Sequence, residues 1–186
     1  DNYRYDLMVA DFPLIDLDRD GLKDIIIVGT KWSSGAFVDE AVPLRWLKNT
    51  GDGFELGDSD IFPESTASWI LRFNHVADFN NDGFDDFVGV DTGYDGEPFP
   101  GGPNLLLLSK KEGGFEDRGQ KNELFEYKGF SHALAVGDVN NDGTLDIATS
   151  DVGGIDAKAN KVSTRILLND GSGNFTLSTS FQNLTE

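Results

Sequence analysis

The sequence has no cysteine, a single methionine and two histidines, and its basic side chains are scarce. The absence of cysteine excludes a disulfide framework and any zinc site with thiolate ligands. Only 15 lysine and arginine residues stand against 33 aspartate and glutamate residues, so the 186-residue chain carries a formal net charge of −18. Nucleic-acid binding and attachment to an anionic membrane surface both need clustered positive charge, and this composition disfavours them.

Long apolar runs are missing as well. The longest candidates, Ile25–Val28 and Leu105–Leu108, have the length of a strand. A membrane-spanning helix needs about 20 apolar residues, so no membrane insertion is expected. No apolar stripe of helical period and helical length appears either. With 38% hydrophobic residues and 22 glycines, the chain can form a packed core from short strands and tight turns, which predicts an all-β fold.

One nine-residue motif occurs three times. It has the form D-x-[DN]-x-D-G-x-x-D and occupies residues 16–24, 78–86 and 138–146. Each copy is followed by a strand-like run, a second apolar run, and then a glycine-containing turn that leads to a phenylalanine, at positions 54, 115 and 175. These landmarks predict three repeats of four short strands, at about residues 1–62, 63–123 and 124–186, as blades of a single β-propeller region over residues 1–186.

The longest segments between predicted strands lie between the second and third strands of each repeat. These insertions span residues 31–43, 91–103 and 151–162. All three are expected on the same side of the blades, where repeat proteins often carry their binding surface. A glycan or protein ligand is therefore expected to bind through these inter-strand loops.

The repeated motif is a candidate metal site. Side chains with oxygen donors recur at loop positions one, three, five and nine, glycine holds position six, and the carbonyl of position seven is placed to coordinate as well. Calcium takes six to eight oxygen ligands, and a sharp turn lets alternate side chains converge on one ion. The candidate ligands are Asp16, Asp18, Asp20, Leu22 and Asp24; Asp78, Asn80, Asp82, Phe84 and Asp86; and Asp138, Asn140, Asp142, Thr144 and Asp146.

Three alternatives bear on this assignment. A helical EF-hand loop needs glutamate at position twelve, where this chain has Ile27, Gly89 and Thr149. Magnesium prefers fewer protein ligands than this loop offers. A single copy of the motif is also compatible with a solvated hairpin turn, since Asp, Asn and Gly are ordinary turn residues. Three copies in register, each with the same donor positions, favour about three bound calcium ions.

These units resemble the FG-GAP and VCBS-type repeats of integrin alpha-chain propellers and of many bacterial surface and secreted proteins. The resemblance rests on residues 76–86 and 136–146 and on the Leu-Leu-Asn-Asp-Gly-Ser-Gly-Asn-Phe stretch of residues 167–175. It implies that the motif joins the first two strands of a blade and binds calcium through the positions named above. The first copy departs from the pattern, because Pro13-Leu14-Ile15 precedes it, and a bend is expected in its first strand.

The resemblance specifies fold and calcium better than activity. The favoured interpretation is a non-catalytic calcium-binding module of a secreted or cell-surface protein that mediates adhesion or binds a glycan or protein. The alternative is the propeller portion of a secreted polysaccharide-degrading lyase or hydrolase with its catalytic residues elsewhere. His75 and His132 are expected on first strands, where a structural role is commoner than catalysis.

The number of blades raises a further question. Closed propellers have about four to eight blades, so three blades imply an open or larger, six- to eight-bladed, propeller. Further blades or self-association are the two ways to complete the ring. An extracellular location is expected, because weak calcium sites of roughly 10⁻⁴–10⁻³ M fill only outside the cell.

Overall fold

Antiparallel strands are the main secondary structure of the computed structural model, which describes residues 6–33, 36–152 and 162–180. The prediction of an all-β fold is confirmed. The described strands, numbered in chain order, are β1 (Asp6–Asp11), β2 (Leu14–Ile15), β3 (Asp24–Ser33), β4 (Ala36–Phe37), β5 (Val42–Pro43), β6 (Arg45–Asn49), β7 (Phe54–Leu56), β8 (Ala67–Ser68), β9 (Leu71–Ala77), β10 (Asp86–Asp91), β11 (Leu105–Ser109), β12 (Phe115–Asp117), β13 (Ser131–Gly137), β14 (Asp146–Val152), β15 (Val162–Asn169) and β16 (Phe175–Leu177). Within these ranges the helical segments are two 3₁₀ turns, Ser59–Ile61 and Gly119–Lys121, and one short helix, α1 (Glu123–Glu126). No helix in the described ranges is long and apolar enough to cross a membrane.

Three sheets each contain a row of four antiparallel strands. The first sheet has the order β1-β3-β6-β7, the second has the order β9-β10-β11-β12, and the third has the order β13-β14-β15-β16. Each sheet lies inside one of the three predicted repeats. A small fourth sheet pairs β5 with β8. The described residues form no closed sheet, so the number of blades in a complete propeller stays a prediction.

The first strand of the first sheet is interrupted. Both β1 and β2 pair with β3, and the register shifts between Val9 and Asp11. Pro13, which lies in the gap, has no N–H for the ladder, but its carbonyl accepts the Ile26 N–H at 3.0 Å. The bend that the Pro-Leu-Ile segment predicts is therefore present in the chain.

The three predicted insertions differ from one another. In the first, β3 continues through Ser33 and pairs with β4, so part of the segment extends the sheet. In the second, Asp91 still belongs to β10, and the rest of the segment contains no strand. Most of the third lies at residues 153–161, outside the described residues.

The hydrophobic core is divided between the two spaces that separate neighbouring sheets. One cluster joins Ile26, Val28 and Trp46 of the first sheet to residues of the second. The other cluster joins the second sheet to the third and also contains Phe125 of α1. The middle sheet is therefore covered on both faces, which explains why the whole apolar run Leu105–Leu108 is buried.

Candidate metal centre

The three acidic loops connect the first strand of each sheet to the second. They begin after β2, β9 and β13 and end at the first residue of β3, β10 and β14. Positions four and six have left-handed backbone in every copy. The φ values are 64° at Arg19, 56° at Asn81, 60° at Asn141, 91° at Gly21 and 89° at both Gly83 and Gly143. The chain thus builds one loop conformation three times, and glycine suits position six because it adopts positive φ without steric penalty.

Side chains at positions one and five hold this conformation through the backbone of their own loop. The position-one carboxylate accepts the position-six N–H, as between Asp16 and Gly21 at 3.0 Å. The corresponding distances are 2.9 Å in the second and third loops. The position-five carboxylate accepts the position-seven N–H at 2.9, 2.9 and 2.8 Å in chain order. These bonds turn the acidic side chains back over the loop.

The aspartates at position nine are fully buried and connect each loop to its sheet. Asp86 accepts the Phe79 N–H of position two at 2.8 Å and the Ser109 N–H at the end of β11 at 2.7 Å. The same pair of bonds is made in the first and third repeats, by Asp24 to Leu17 and Asn49 and by Asp146 to Val139 and Asn169. Each carboxylate oxygen has two acceptor sites, so these bonds leave capacity for a metal.

Burial raises the pKa of the position-nine carboxyl in two of the loops. The pKa of Asp86 rises to about 6, because the loss of solvation outweighs the two backbone N–H bonds that favour the ionised form. The pKa of Asp24 is also raised by burial, with the nearby charges of Asp18 and Asp20 adding to the effect. A bound divalent cation would favour the ionised form of these groups.

The first loop brings its carboxylates closest together. Asp16, Asp18 and Asp24 each place one oxygen within 4.8 Å of the others, and theirs is the group of three acidic ligands found among the described residues. Oδ1 of Asp16 is buried and has no hydrogen-bond partner. Leaving a buried acceptor unsatisfied is unfavourable, so this oxygen fits a loop that is built to surround a cation.

A lysine reaches the first loop from the third strand of its sheet. The Lys48 ammonium forms an ion pair with Asp18 and lies 3.7 Å from Asp20. The Asp18 carboxylate raises the pKa of Lys48. The equivalent positions of β11 and β15 are Leu108 and Leu168. The motif did not predict this contact, although a lone lysine at a position that is otherwise leucine is a signal that was present in the sequence.

The second and third loops have an asparagine in place of one carboxylate. Asn80 Oδ1 accepts the Asp82 N–H at 3.1 Å, and its amide donates to Asp82 Oδ2 at 3.1 Å. Asn140 does the same with Asp142 at 2.9 and 2.7 Å. The Thr144 hydroxyl donates to Asp142 at 2.6 Å and lowers the pKa of that carboxyl. These amides reduce charge repulsion within the loop while keeping an oxygen donor at position three.

The side chain at loop position four contacts the next sheet in two of the three repeats. The variable residue type at this position gave no indication of that contact. The Arg19 guanidinium lies 3.6 Å from the centre of the Phe84 ring and donates to the carbonyls of Lys110 and Lys111 in the β11–β12 turn. Asn81 donates to the Gly171 carbonyl in the β15–β16 turn at 3.1 Å. Position four therefore joins the first and second loops to the following sheet and is more than a filler between ligands.

The two histidines lie on first strands, as predicted. His75 is exposed on β9. His132, on β13, packs its ring 4.6 Å from that of Phe130. Burial, with Arg72 as a further cause, lowers the pKa of His132.

Comparison with known proteins agrees with the repeat pattern. A family model described as an FG-GAP-like repeat matches residues 16–89 and 78–149. Each match begins at position one of an acidic loop and extends beyond the next loop. A search of curated proteins gave no match.

Proposed function

The chain belongs to the FG-GAP-like repeat family, and on that premise we propose that it is a non-catalytic, calcium-binding β-propeller module of a secreted or cell-surface protein. The observation that supports this most strongly is one loop conformation, repeated three times, with oxygen-bearing side chains at the same four positions. FG-GAP repeats are typical of extracellular proteins. Calcium outside the cell can fill even sites with dissociation constants of roughly 10⁻⁴–10⁻³ M.

The donor set suits calcium. Every candidate ligand is an oxygen, and calcium accepts six to eight of them, from carboxylates, amide oxygens and backbone carbonyls. In the first loop the proposed ligands are the four aspartates and the carbonyl of Leu22, with the unpartnered Asp16 Oδ1 among them. The second and third loops supply the corresponding atoms, with Phe84 and Thr144 at position seven. The proposal comprises about three ions.

Bound calcium would supply positive charge to carboxylates that otherwise repel one another. Side chains of the loop then connect the bound ion to the strands of the sheet. The position-nine aspartate links the loop to the third strand, and the position-one and position-five aspartates fix the turn. Calcium binding is therefore proposed to stabilise the sheets and to hold the inter-strand loops in place for a ligand.

The proposed ligand surface lies on the insertion side of the first two sheets. A cleft of about 490 Å³ there is lined by Trp69, Leu105, Gln120, Glu126 and Lys128, among others. An aromatic ring beside amide and carboxylate groups can stack on a sugar face and hydrogen-bond its hydroxyls. We therefore favour a glycan ligand for this cleft. Trp69→Ala should abolish binding on a glycan array. Phe73→Ala, which removes an exposed ring outside the cleft, should leave binding intact. Glycan binding that survives Trp69→Ala would exclude the cleft as the ligand site.

Calcium binding itself is tested by titrating calcium into calcium-free protein and following heat and thermal unfolding. Each site should add about 2.7 kcal/mol to the free energy of unfolding when calcium is at about one hundred times its Kd. Asp16→Asn should remove one site from the calorimetric stoichiometry. Asp52→Asn, the same charge change at an exposed position in the β6–β7 turn, should leave it intact. If calcium produces neither heat nor a shift in Tm, the proposed function is wrong.

A further inference from the structure

The first residue of the fourth strand is a phenylalanine in every sheet, but its exposure differs sharply. Phe115 is 4% exposed and Phe175 is 5% exposed, whereas Phe54 is 54% exposed. Phe115 packs in the cluster between the first and second sheets, and Phe175 packs between the second and third. Phe54 belongs to the opposite face of the first sheet, against which the described residues place no other sheet. Leu56 on the same strand is 65% exposed.

The other end of the stack shows the complementary feature. Loop position two is 3% exposed at Leu17 and buried completely at Phe79, because each side chain enters the cluster shared with the following sheet. Val139, at the same position of the third loop, is 43% exposed. The third sheet therefore presents an apolar side chain at the position where the first two sheets contact their successors.

Two of the hydrogen bonds between the second and third sheets are made by asparagine amides. The Asn81 amide donates to the Gly171 carbonyl at 3.1 Å, and the Asn169 amide donates back to the Phe79 carbonyl at 2.7 Å. Together with Phe175, which meets the Phe79 ring edge-on at 6.1 Å, these contacts form one reciprocal joint between neighbouring sheets.

The two sides of this joint recur at the two ends of the stack of sheets. The third sheet repeats the loop side, and the first sheet repeats the turn side. The third loop has Asn141 where the second has Asn81, and the first sheet has Asn49 and Gly51 where the third has Asn169 and Gly171. The φ angles of the two glycines agree, at 82° and 79°. The amide donors, the turn glycine and the fourth-strand phenylalanine are therefore the same residue types, whereas position two is Phe79 in the joint and Val139 at the open end.

We propose that the outer face of the third sheet packs on the outer face of the first sheet of a second copy of this chain, and that two copies close into a ring in this way. Asn141 would donate to the Gly51 carbonyl of the second copy, whose Asn49 would donate to the Val139 carbonyl. A head-to-tail contact used twice gives a closed twofold dimer. Three sheets from each copy give six, which falls within the range of about four to eight blades of closed propellers. The named contacts join neutral amides and apolar side chains, so none of them adds to the net charge of −18.

Mass in solution is the first test of this proposal. Light scattering of the chain, in calcium and in calcium-free buffer, should give twice the 20.3 kDa mass of one copy. Phe54→Asp or Val139→Asp, each of which places a charge in the contact, should raise the dimer dissociation constant about tenfold or more. Phe73→Asp, a charge at an exposed phenylalanine of the middle sheet, should leave it unchanged. The proposal does not depend on calcium binding, so a dimer without calcium heat leaves it standing.

Because the chain has no cysteine, the contact can also be located by cross-linking. Asn141→Cys with Asp52→Cys should be joined between copies by a short bis-maleimide, giving a dimer on a denaturing gel. The matched pair Asn81→Cys with Ser172→Cys, at the equivalent sites of the internal joint, should be joined within one copy. Monomers at all concentrations, assemblies that grow beyond two copies, or a dimer that Phe54→Asp leaves intact would each overturn the proposal.

Discussion

The carboxyl of Asp86 should lower the free energy of unfolding of the calcium-free protein as the pH rises from about 4 to about 7. The pKa of this buried carboxyl rises from its ordinary 3.8 to about 6 in the folded chain. Between those two values the folded state binds the proton more tightly than the unfolded state does. The resulting stabilisation is complete below the unfolded pKa and is lost as the pH rises through the folded pKa.

The size of the effect follows from the shift. A change from 3.8 to about 6 corresponds to at most about 3 kcal/mol. In a domain of this length that is about 6–12 °C in Tm. Burial also raises the pKa values of Asp24 and Asp91, which act in the same direction. The lowered pKa values of Glu116, His132, Asp142 and Asp170 act in the opposite direction, so the contribution of Asp86 has to be isolated.

Asp86→Asn isolates it. Asparagine keeps the shape of the side chain but does not titrate, so the difference in unfolding free energy between the two proteins should change by up to about 3 kcal/mol across this pH range. Urea unfolding in calcium-free buffers at a series of pH values measures that difference. Saturating calcium, which we propose binds the ionised carboxylate, should restore the stability of the unmodified chain at neutral pH. A difference that stays constant from acid to neutral pH would refute the reasoning.

Two further predictions concern single contacts. Lys48→Leu introduces the residue that the other two repeats have at this position. It should raise the calcium affinity of the first loop by up to about fivefold, because the ion no longer competes with an ammonium for the carboxylates. An unchanged affinity in calorimetric titration would count against that competition. Gly57→Ala should destabilise the chain by about 1–3 kcal/mol, because a Cβ there would lie 2.0 Å from the Trp46 indole. Gly53→Ala, whose Cβ would meet nothing within 4 Å, is the control in the same denaturant titration, and equal losses for the two variants would contradict the assignment.

Much of the fold was predictable because it depends on local features. The spacing of motif, apolar run and glycine turn predicts four strands per repeat. Successive side chains of a strand point to opposite faces of the sheet, so the apolar positions also indicate which side chains enter the core. The break at Pro13 was predictable for the same reason, since proline cannot donate to a strand ladder. The family match confirms the resemblance that these patterns indicated.

The contacts between sheets were not predictable from the same patterns. Nothing local distinguishes Asn81, which binds a turn of the next sheet, from a residue that merely accommodates positive φ. The ion pair of Lys48 with Asp18 likewise depends on the register of the third strand against the loop. Such partners are determined by how the sheets stack, and a single sequence contains no record of that stacking.

The position-nine aspartate explains why the acidic loop is placed at the start of a buried strand. Its two oxygens accept one N–H from the loop and one from the third strand, so a single carboxylate joins three parts of the repeat. The raised pKa of Asp86 shows that this burial disfavours the charge on which the joint depends. A cation at the adjacent ligand positions would favour the ionised form and strengthen both bonds. Calcium should therefore stabilise the sheet as a whole, and the order of the third strand should depend on the ion as much as the loop does.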